Sequence, residues 1–229
     1  MRFLAALTAS LVFSLALLAI VFGAADLAGN SARGWMTSWE AQRRVSDVGQ
    51  WNQAHSRLLM AHRLNPLNAD YSANLGHLMA WRSWHESPDS LESTRARADA
   101  EAFHLDAISR RPSWGYAWAN FAENRFLQGS TDEKFLRAIE MAMALAPWEP
   151  MVQRKIAWVG MATWEDLPHS TRELVKENVR RIVELEDFSN QIVRLAVQFD
   201  WLDHLKPMLH TERQRRGLTS VLEHLEAQR

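Results

Sequence analysis

The chain has 229 residues, no cysteine and a nearly balanced charge, with 26 Lys and Arg against 27 Asp and Glu. This balance, without a basic cluster, argues against a nucleic-acid-binding protein. The absence of cysteine excludes disulfides, thiol catalysis and thiolate metal sites. The length suffices for one domain or a short helical array in addition to a terminal segment.

The chain begins with an apolar segment that carries no charge from Phe3 to Ala25. About 20 apolar residues cross the hydrocarbon core of a bilayer as a helix, so we expect a transmembrane anchor over residues 1–27. A signal peptide is the alternative, because Gly23-Ala24-Ala25 resembles a cleavage site, although its apolar region normally runs only about 7–15 residues. Arg2 favours a cytoplasmic N-terminus with the rest of the chain outside.

Beyond the anchor, the pattern predicts helices throughout. Gly29-Asn30 interrupts the chain, so residues 28–34 are expected to form a juxtamembrane linker and residues 35–229 a helical domain. No segment alternates in the way that a sheet requires. Ser130-x-x-Glu133 and Ser170-x-x-Glu173 predict capping boxes at two helix starts. The expected helices are 35–47, 50–64, 69–84, 90–110, 115–128, 131–145, 150–163, 170–186, 188–199, 201–210 and 218–228.

Spaced small and large residues after Gly49 are typical of a tetratricopeptide repeat. Ala54 and Ala61 lie seven residues apart, hence on one helical face, where small side chains let a neighbouring helix approach closely. Pro66 ends this helix because its ring clashes with the preceding turn. A Tyr71-x-x-x-Leu75-Gly76 pattern then begins the next helix.

The same pattern recurs at two later prolines. Pro112 and Pro147 are 35 residues apart, close to the usual period of about 34. Pro66 and Pro112 are 46 apart, which indicates an insertion between Trp81 and about Arg97 that contains the turn signal Ser87-Pro88-Asp89. Since one helix pair cannot bury its own apolar face, three such units predict an all-α, tetratricopeptide-like solenoid of helical hairpins.

Motifs that carry catalysis are missing. The sequence has no G-x-G or Gly-Lys phosphate loop, no D-x-D pair and no G-x-S-x-G elbow. His85-Glu86 lacks the second histidine of a zinc protease helix, and His55 and His62 lack further ligands at metal-binding spacing. We therefore expect no enzyme, no cofactor and no metal site.

Tryptophan is the compositional outlier, at 11 residues. One explanation is that the rings fill gaps between stacked helices, because Trp51 and Trp118 occupy repeat positions that normally face inward. The other is that some rings form a platform for sugars or hot spots for a protein partner.

Stacked helix pairs expose the first helix of each pair on a concave face. Asn74 and Asn120 occupy equivalent positions there, where an amide can donate to and accept from an extended peptide backbone. The alternative is an ordinary solvated helix face. The register predicts eight partner-binding residues on this face: Asn74, His77, Trp81, Asn120, Glu123, Arg154, Lys155 and Trp158.

Blocks that combine proline and tryptophan are more specific than the repeat residues. These are Arg111-Pro112-Ser113-Trp114 and Ala146-Pro147-Trp148-Glu149-Pro150, and the other blocks of the pattern are Trp51-x-x-Ala54, Leu64-Asn65-Pro66 and Asn178-Val179-x-Arg181. In their order, over roughly residues 35–185, the chain resembles VpsP-type polysaccharide biosynthesis proteins. The resemblance implies a small membrane-associated accessory protein of bacterial exopolysaccharide production, without catalytic residues to carry over.

Together these features predict a membrane-anchored, non-catalytic scaffold of bacterial exopolysaccharide biosynthesis or export. We expect a single pass through the inner membrane, a periplasmic helical domain, and other proteins of a polysaccharide assembly system as partners. The alternative is a glycan-binding periplasmic helical-repeat protein that uses exposed tryptophans. A glycan-modifying enzyme is the least favoured hypothesis because the motifs are absent.

Overall fold

A computed structural model describes residues 2–42, 45, 47–85, 87, 90–184 and 189–227. Every regular element in these ranges is helical, which confirms the all-α prediction. Two short 3-10 turns, Trp164–Asp166 and Lys206–Met208, accompany the α-helices. The helices of the described ranges are α1 (Arg2–Gln42), α2 (Val48–Leu64), α3 (Ala69–His85), α4 (Leu91–Arg110), α5 (Gly115–Leu127), α6 (Glu133–Leu145), α7 (Pro150–Ala162), α8 (His169–Glu184), α9 (Ser189–Gln198), α10 (Leu202–Leu205) and α11 (Glu212–Glu226).

Six predicted helices, from 50–64 to 150–163, agree with α2 to α7 within two residues at each end. The last two predictions are wrong in detail. Residues 201–210 form the short α10 and a 3-10 turn around Pro207, because a proline ring cannot continue an α-helix. Helix α11 begins at Glu212 because Thr211 and Gln214 form a capping box. Of the predicted turn signal 87–89, Pro88 and Asp89 lie outside the described residues.

Both predicted capping boxes are wrong. Asp132 is the N-cap of α6, and its carboxylate accepts a hydrogen bond from the Phe135 amide at 3.1 Å. Ser130 instead accepts a hydrogen bond from Arg125 at 2.7 Å. Helix α8 begins at His169, so Ser170 already lies inside it. The sequence offers several oxygen-bearing residues near each start, and the geometry of the preceding turn decides which one caps the helix.

The predicted break at Gly29-Asn30 is also wrong, because α1 runs without interruption for 41 residues. Gly29 is buried against α3, and a Cβ atom there would lie 2.7 Å from Cε1 of Tyr71. The glycine therefore provides room for a ring to approach the α1 backbone, and the interval 28–34 is helical.

Helix α1 has two different halves. Its N-terminal half exposes apolar side chains all round, including Phe3 and Ile20 at 79% and 69% exposure. Among the described residues, α1 is long and apolar enough to cross a membrane. Its C-terminal half buries a stripe at helical spacing. That stripe is Ala25, Ala32, Met36 and Trp39.

The chain divides into two compact units, Met1–Arg111 and Pro112–Arg229. In the first unit, α1 packs against α2 and α3, and α3 packs against α4. Trp35 of α1 lies under the Arg57 guanidinium of α2 at 4.7 Å, while Gly29 lies opposite Ala61. These pairings make α2 antiparallel to α1.

In the second unit, α5 packs against α6 and α7, α7 packs against α8, and α9 packs against α11. In this unit, too, glycine lets neighbouring helices approach closely. A Cβ atom at Gly115 would lie 2.5 Å from Cβ of Ala146, and one at Gly160 would lie 2.5 Å from Val175.

The three helices α2, α4 and α6, which precede Pro66, Pro112 and Pro147, end in the same way. Their C-cap residues have φ of −136°, −140° and −142°, and each C-cap amide donates to the carbonyl of an alanine four residues earlier, at 2.9–3.0 Å. The pairs are Asn65 with Ala61, Arg111 with Ala107, and Ala146 with Ala142. The alanines of these pairs are fully buried, as the sequence pattern predicted.

Substitutions at two glycines of α1 test the packing of this helix against α3. Gly29→Ala should lower the free energy of unfolding by about 1–3 kcal/mol, because the new methyl group overpacks against Tyr71. Gly34→Ala should raise it by up to about 1 kcal/mol, because a Cβ atom at Gly34 meets open space and alanine favours the helix. Denaturant unfolding of the full chain in detergent, followed by circular dichroism, measures both. Equal effects of the two substitutions would contradict this packing.

Candidate functional site

The eight predicted partner-binding residues divide between the two units, and most are not exposed. His77, Trp81, Asn120, Glu123 and Lys155 are buried. Asn74, Arg154 and Trp158 are half-buried. The expectation of an open, solvated face is therefore wrong for the buried five, and the role of all eight in partner binding stays a prediction.

In the first unit, the end of α1 packs against Trp81 of α3, which in turn contacts His77. The two rings contact each other with centroids 4.5 Å apart, and Trp81 packs edge-on against Trp39 of α1 at 6.1 Å. Such edge-to-face contacts add to the stability that burial of the rings provides. The prediction missed this contact because it placed a linker over residues 28–34 and a separate helix over 35–47.

In the second unit, Glu123 of α5 and Lys155 of α7 face each other across packed helices. Lys155 Nζ donates to Glu123 Oε2, and the two side chains are only 10% and 8% exposed. Removal of two charges from water costs several kcal/mol for each ion, which their attraction offsets only when both partners are present. The pair thus makes the packing of α5 on α7 sensitive to the loss of either charge.

Helices α5, α7 and α8 also carry buried amide side chains. Asn178 of α8 donates to the Gln153 carbonyl at 2.8 Å, and the Gln153 side chain donates to the Pro147 carbonyl at 2.9 Å. Asn120 is 1% exposed, and neither atom of its amide has a hydrogen-bond partner among the described residues. A buried amide without a partner costs about 1–3 kcal/mol.

The two half-buried candidates of α7 contact other helices of the same unit. Arg154 donates to Gln191 Oε1 of α9 at 3.4 Å. The Trp158 ring packs edge-on against Phe126 of α5, with centroids 5.4 Å apart. Each still exposes part of its side chain, so these two residues are the predicted candidates of this unit that a partner can reach.

Among the tryptophans whose exposure the structure describes, the exposed one is Trp148, which the predicted face did not include. Trp148 lies in the turn before α7 and is 65% exposed. The Arg181 guanidinium of α8 lies 4.9 Å from its ring centroid, within the range of a cation–π interaction. Arg181 thus covers one face of the ring, and most of the Trp148 side chain remains exposed. The Pro147-Trp148 block was the signal in the sequence that could have identified it.

Most of the other tryptophans fill the interior. Trp39, Trp51, Trp81, Trp164 and Trp201 are buried, and Trp35, Trp114, Trp118 and Trp158 are half-buried. The side chain of Trp84 lies outside the described set. Packing therefore explains most of the tryptophan content, which favours the first of the two explanations drawn from composition.

The first unit also contains a serine, a histidine and an aspartate in contact, which the sequence did not indicate. Ser72 Oγ donates to Asp106 Oδ2 at 2.5 Å and lies 3.3 Å from His62 Nδ1. A catalytic triad places the histidine between the serine and the carboxylate. Here the serine bonds directly to the carboxylate and is fully buried, an arrangement that joins α2, α3 and α4 rather than activating a nucleophile.

Arg110 completes this network. Its guanidinium donates to both oxygens of Asp106 at 2.7 Å. These hydrogen bonds, with a smaller contribution from Ser72, lower the pKa of Asp106 below its ordinary value although burial opposes the change. Within the described residues, no group of three or more His, Asp and Glu side chains is placed to hold a metal ion.

The buried ion pair can be tested by a double substitution. Lys155→Met should lower the free energy of unfolding by about 3–5 kcal/mol, because it leaves Glu123 buried without a cation. Adding Glu123→Leu should restore most of that loss. Urea unfolding followed by circular dichroism measures both variants.

The matched control for this cycle is Lys206→Met. Lys206 pairs with Asp203 at 3.2 Å in an exposed position, and its loss should change stability by less than about 1 kcal/mol. If Lys155→Met is as mild as this control, Glu123 and Lys155 do not form a desolvated pair.

Comparison with known proteins does not assign the chain to a family. No protein-family model matches the chain, and no curated protein matches it either.

Proposed function

We propose that the chain is a single-pass, membrane-anchored helical scaffold that binds other proteins. The observation that supports this proposal is the division of α1 into two halves. The N-terminal half exposes apolar side chains on every side, which is the composition of a helix in lipid. The C-terminal half is packed into the first unit, so one helix serves as both anchor and structural element.

The burial of Ala25 supports an uncleaved anchor. This side chain lies fully buried in a cluster with Ala61 and Tyr71. Cleavage after Gly23-Ala24-Ala25 would remove it from the cluster and place a charged N-terminus next to buried apolar groups. In the proposed topology, α1 crosses the bacterial inner membrane and both units lie in the periplasm.

The scaffold role follows from tetratricopeptide-like hairpins. The identical endings of α2, α4 and α6 support three related units, as do the buried alanines in these helices. Such hairpins serve as binding surfaces because each stacks on its neighbours and presents a helix face. Partner binding, without catalysis or cofactor, is the function that we assign to these units.

The polysaccharide context depends on the proline and tryptophan blocks that resemble VpsP-type proteins. In one of these blocks, the turn before α7 presents Trp148 to solvent. We accordingly place the scaffold in bacterial exopolysaccharide biosynthesis or export, with other proteins of that assembly as partners.

Processing of the native protein tests the anchor. Wild-type protein should stay in membranes after an alkaline carbonate wash, and its intact mass should include residues 3–25. The matched control replaces residues 1–22 with a cleavable export signal, which keeps Ala25 in its cluster, and should be recovered as soluble protein that begins at Gly23. Soluble wild-type protein that begins near Asp26 would show that the segment is a signal peptide.

Partner capture tests the scaffold. Affinity purification of the tagged wild type from detergent-solubilised membranes, followed by mass spectrometry, should recover polysaccharide assembly proteins, and the released control should recover fewer. Deletion of the chain should reduce exopolysaccharide output. Normal output after deletion, together with an empty capture, would refute the scaffold role.

Exposed Trp148 favours one second candidate, direct glycan binding. The exposed part of its ring could stack on a sugar ring. Purified native polymer should then quench tryptophan fluorescence in the wild type but less in Trp148→Ala. Equal quenching in both, or none at millimolar saccharide, would eliminate this candidate.

A further inference from the structure

The turn between α2 and α3, residues 65–68, lies level with the end of the exposed apolar half of α1. Ala25 of α1 packs with Ala61 of α2 and Tyr71 of α3, and Leu64 packs against the same cluster. The Tyr71 hydroxyl donates to the Asp26 carboxylate. Because α2 is antiparallel to α1, the residues that follow Leu64 continue toward the apolar half.

The C-terminal end of α4 lies at the same level. Arg111 pairs with Asp70 at 3.6 Å, and Asp70 directly precedes Tyr71. Asp106, one turn earlier in α4, contacts Ser72. One end of the first unit therefore consists of the α2–α3 turn and the end of α4, both at the level of Ala25 and Asp26 along α1.

The dimensions of a bilayer place this end in the headgroup layer. A hydrocarbon core of about 30 Å corresponds to about 20 helical residues, the length from Phe3 to Phe22. The headgroups add about 5–8 Å on each side, which corresponds to about four or five further residues of α1. The level of Ala25 and Asp26 falls within that layer.

The side chains at this end suit a lipid surface. Leu67, at the tip of the turn, is 79% exposed, and Leu27 of α1 is 74% exposed. Arg63 is exposed, and the Arg111 side chain is 56% exposed. Leucine can enter the apolar part of the interface while arginine binds lipid phosphates beside it.

We propose that this end of the first unit, formed by Leu67, Arg63 and Arg111, docks on the bilayer from which α1 emerges, with Leu67 inserted into the headgroup layer. The proposal rests on the proposed membrane anchor, because the position of the bilayer follows from α1. Docking gives the first unit a second attachment and fixes its orientation on the membrane.

Site-directed labelling tests this docking, since the chain has no native cysteine. Single variants Phe13→Cys, Leu67→Cys and Leu91→Cys carry a nitroxide label in the full chain, in vesicles of phosphatidylethanolamine and phosphatidylglycerol at 3:1. Leu91 is the matched control, an exposed leucine at the opposite end of the unit. Accessibility of each label to oxygen and to a water-soluble nickel complex reports its depth.

We expect the label at residue 13 in the hydrocarbon core, the label at 67 in the headgroup layer and the label at 91 in water. Adding Arg63→Glu to Leu67→Cys should increase collisions of the label with the nickel complex at least twofold. If label 13 is in lipid and label 67 is as exposed to water as label 91, the docking is refuted and the anchor stands. If label 13 is also in water, the anchor itself is refuted.

Discussion

The close contact between α1 and Tyr71 is the interaction on which the first unit depends. Gly29 lets the ring approach the helix backbone, and the hydroxyl donates to Asp26. Burial, together with this hydrogen bond, raises the pKa of Tyr71 to about 12. The phenol is neutral at physiological pH, as tyrosine ordinarily is, and its hydroxyl joins α3 to α1 at the end of the apolar half.

Continuity of α1 has a mechanical consequence. A flexible linker would let the helical units rotate freely relative to the apolar half of α1, whereas an unbroken helix transmits the direction of that half to the unit that packs against the other half. The tilt of such a helix is set by packing and by anchors at the interface, not by the length of the apolar stretch. Ala25, Ala32, Met36 and Trp39 supply that packing here.

The sequence predicted well those features that are local. Pro66, Pro112 and Pro147 mark the ends of α2, α4 and α6, because the proline ring excludes further helix. The predicted bounds of α2 to α7 agree with the structure within two residues. The prediction was wrong where the local conformation depends on a residue that is distant in the sequence. A glycine inside a helix can weaken the helix, or it can let a side chain from another helix pack closely against the backbone. At Gly29 the second case holds, because Tyr71, 42 residues later in the chain, packs against it. The linker over 28–34 was wrong for this reason.

At the candidate site, too, the sequence predicted local features but not the contacts with distant residues. Helical spacing correctly places His77 and Trp81 on one face of α3, and Glu123 on a face of α5, but spacing does not reveal what covers a face. Trp39 packs against Trp81, and Lys155 pairs with Glu123 between α5 and α7. The exposed Trp148 lies in a turn, where helical periodicity carries no information about exposure.

The central claim, that one rigid helix joins the membrane span to the first unit, is tested most directly by a distance between two spin labels. Cysteines introduced at Leu15 of α1 and at the exposed Gln53 of α2 are the labelling sites in a chain without native cysteine. Gln53 lies level with about residue 37 of α1, so at 1.5 Å per residue the separation should be about 35 Å. A single narrow distribution near that value is expected in vesicles, and a broad distribution would show that residues 28–34 act as a flexible linker.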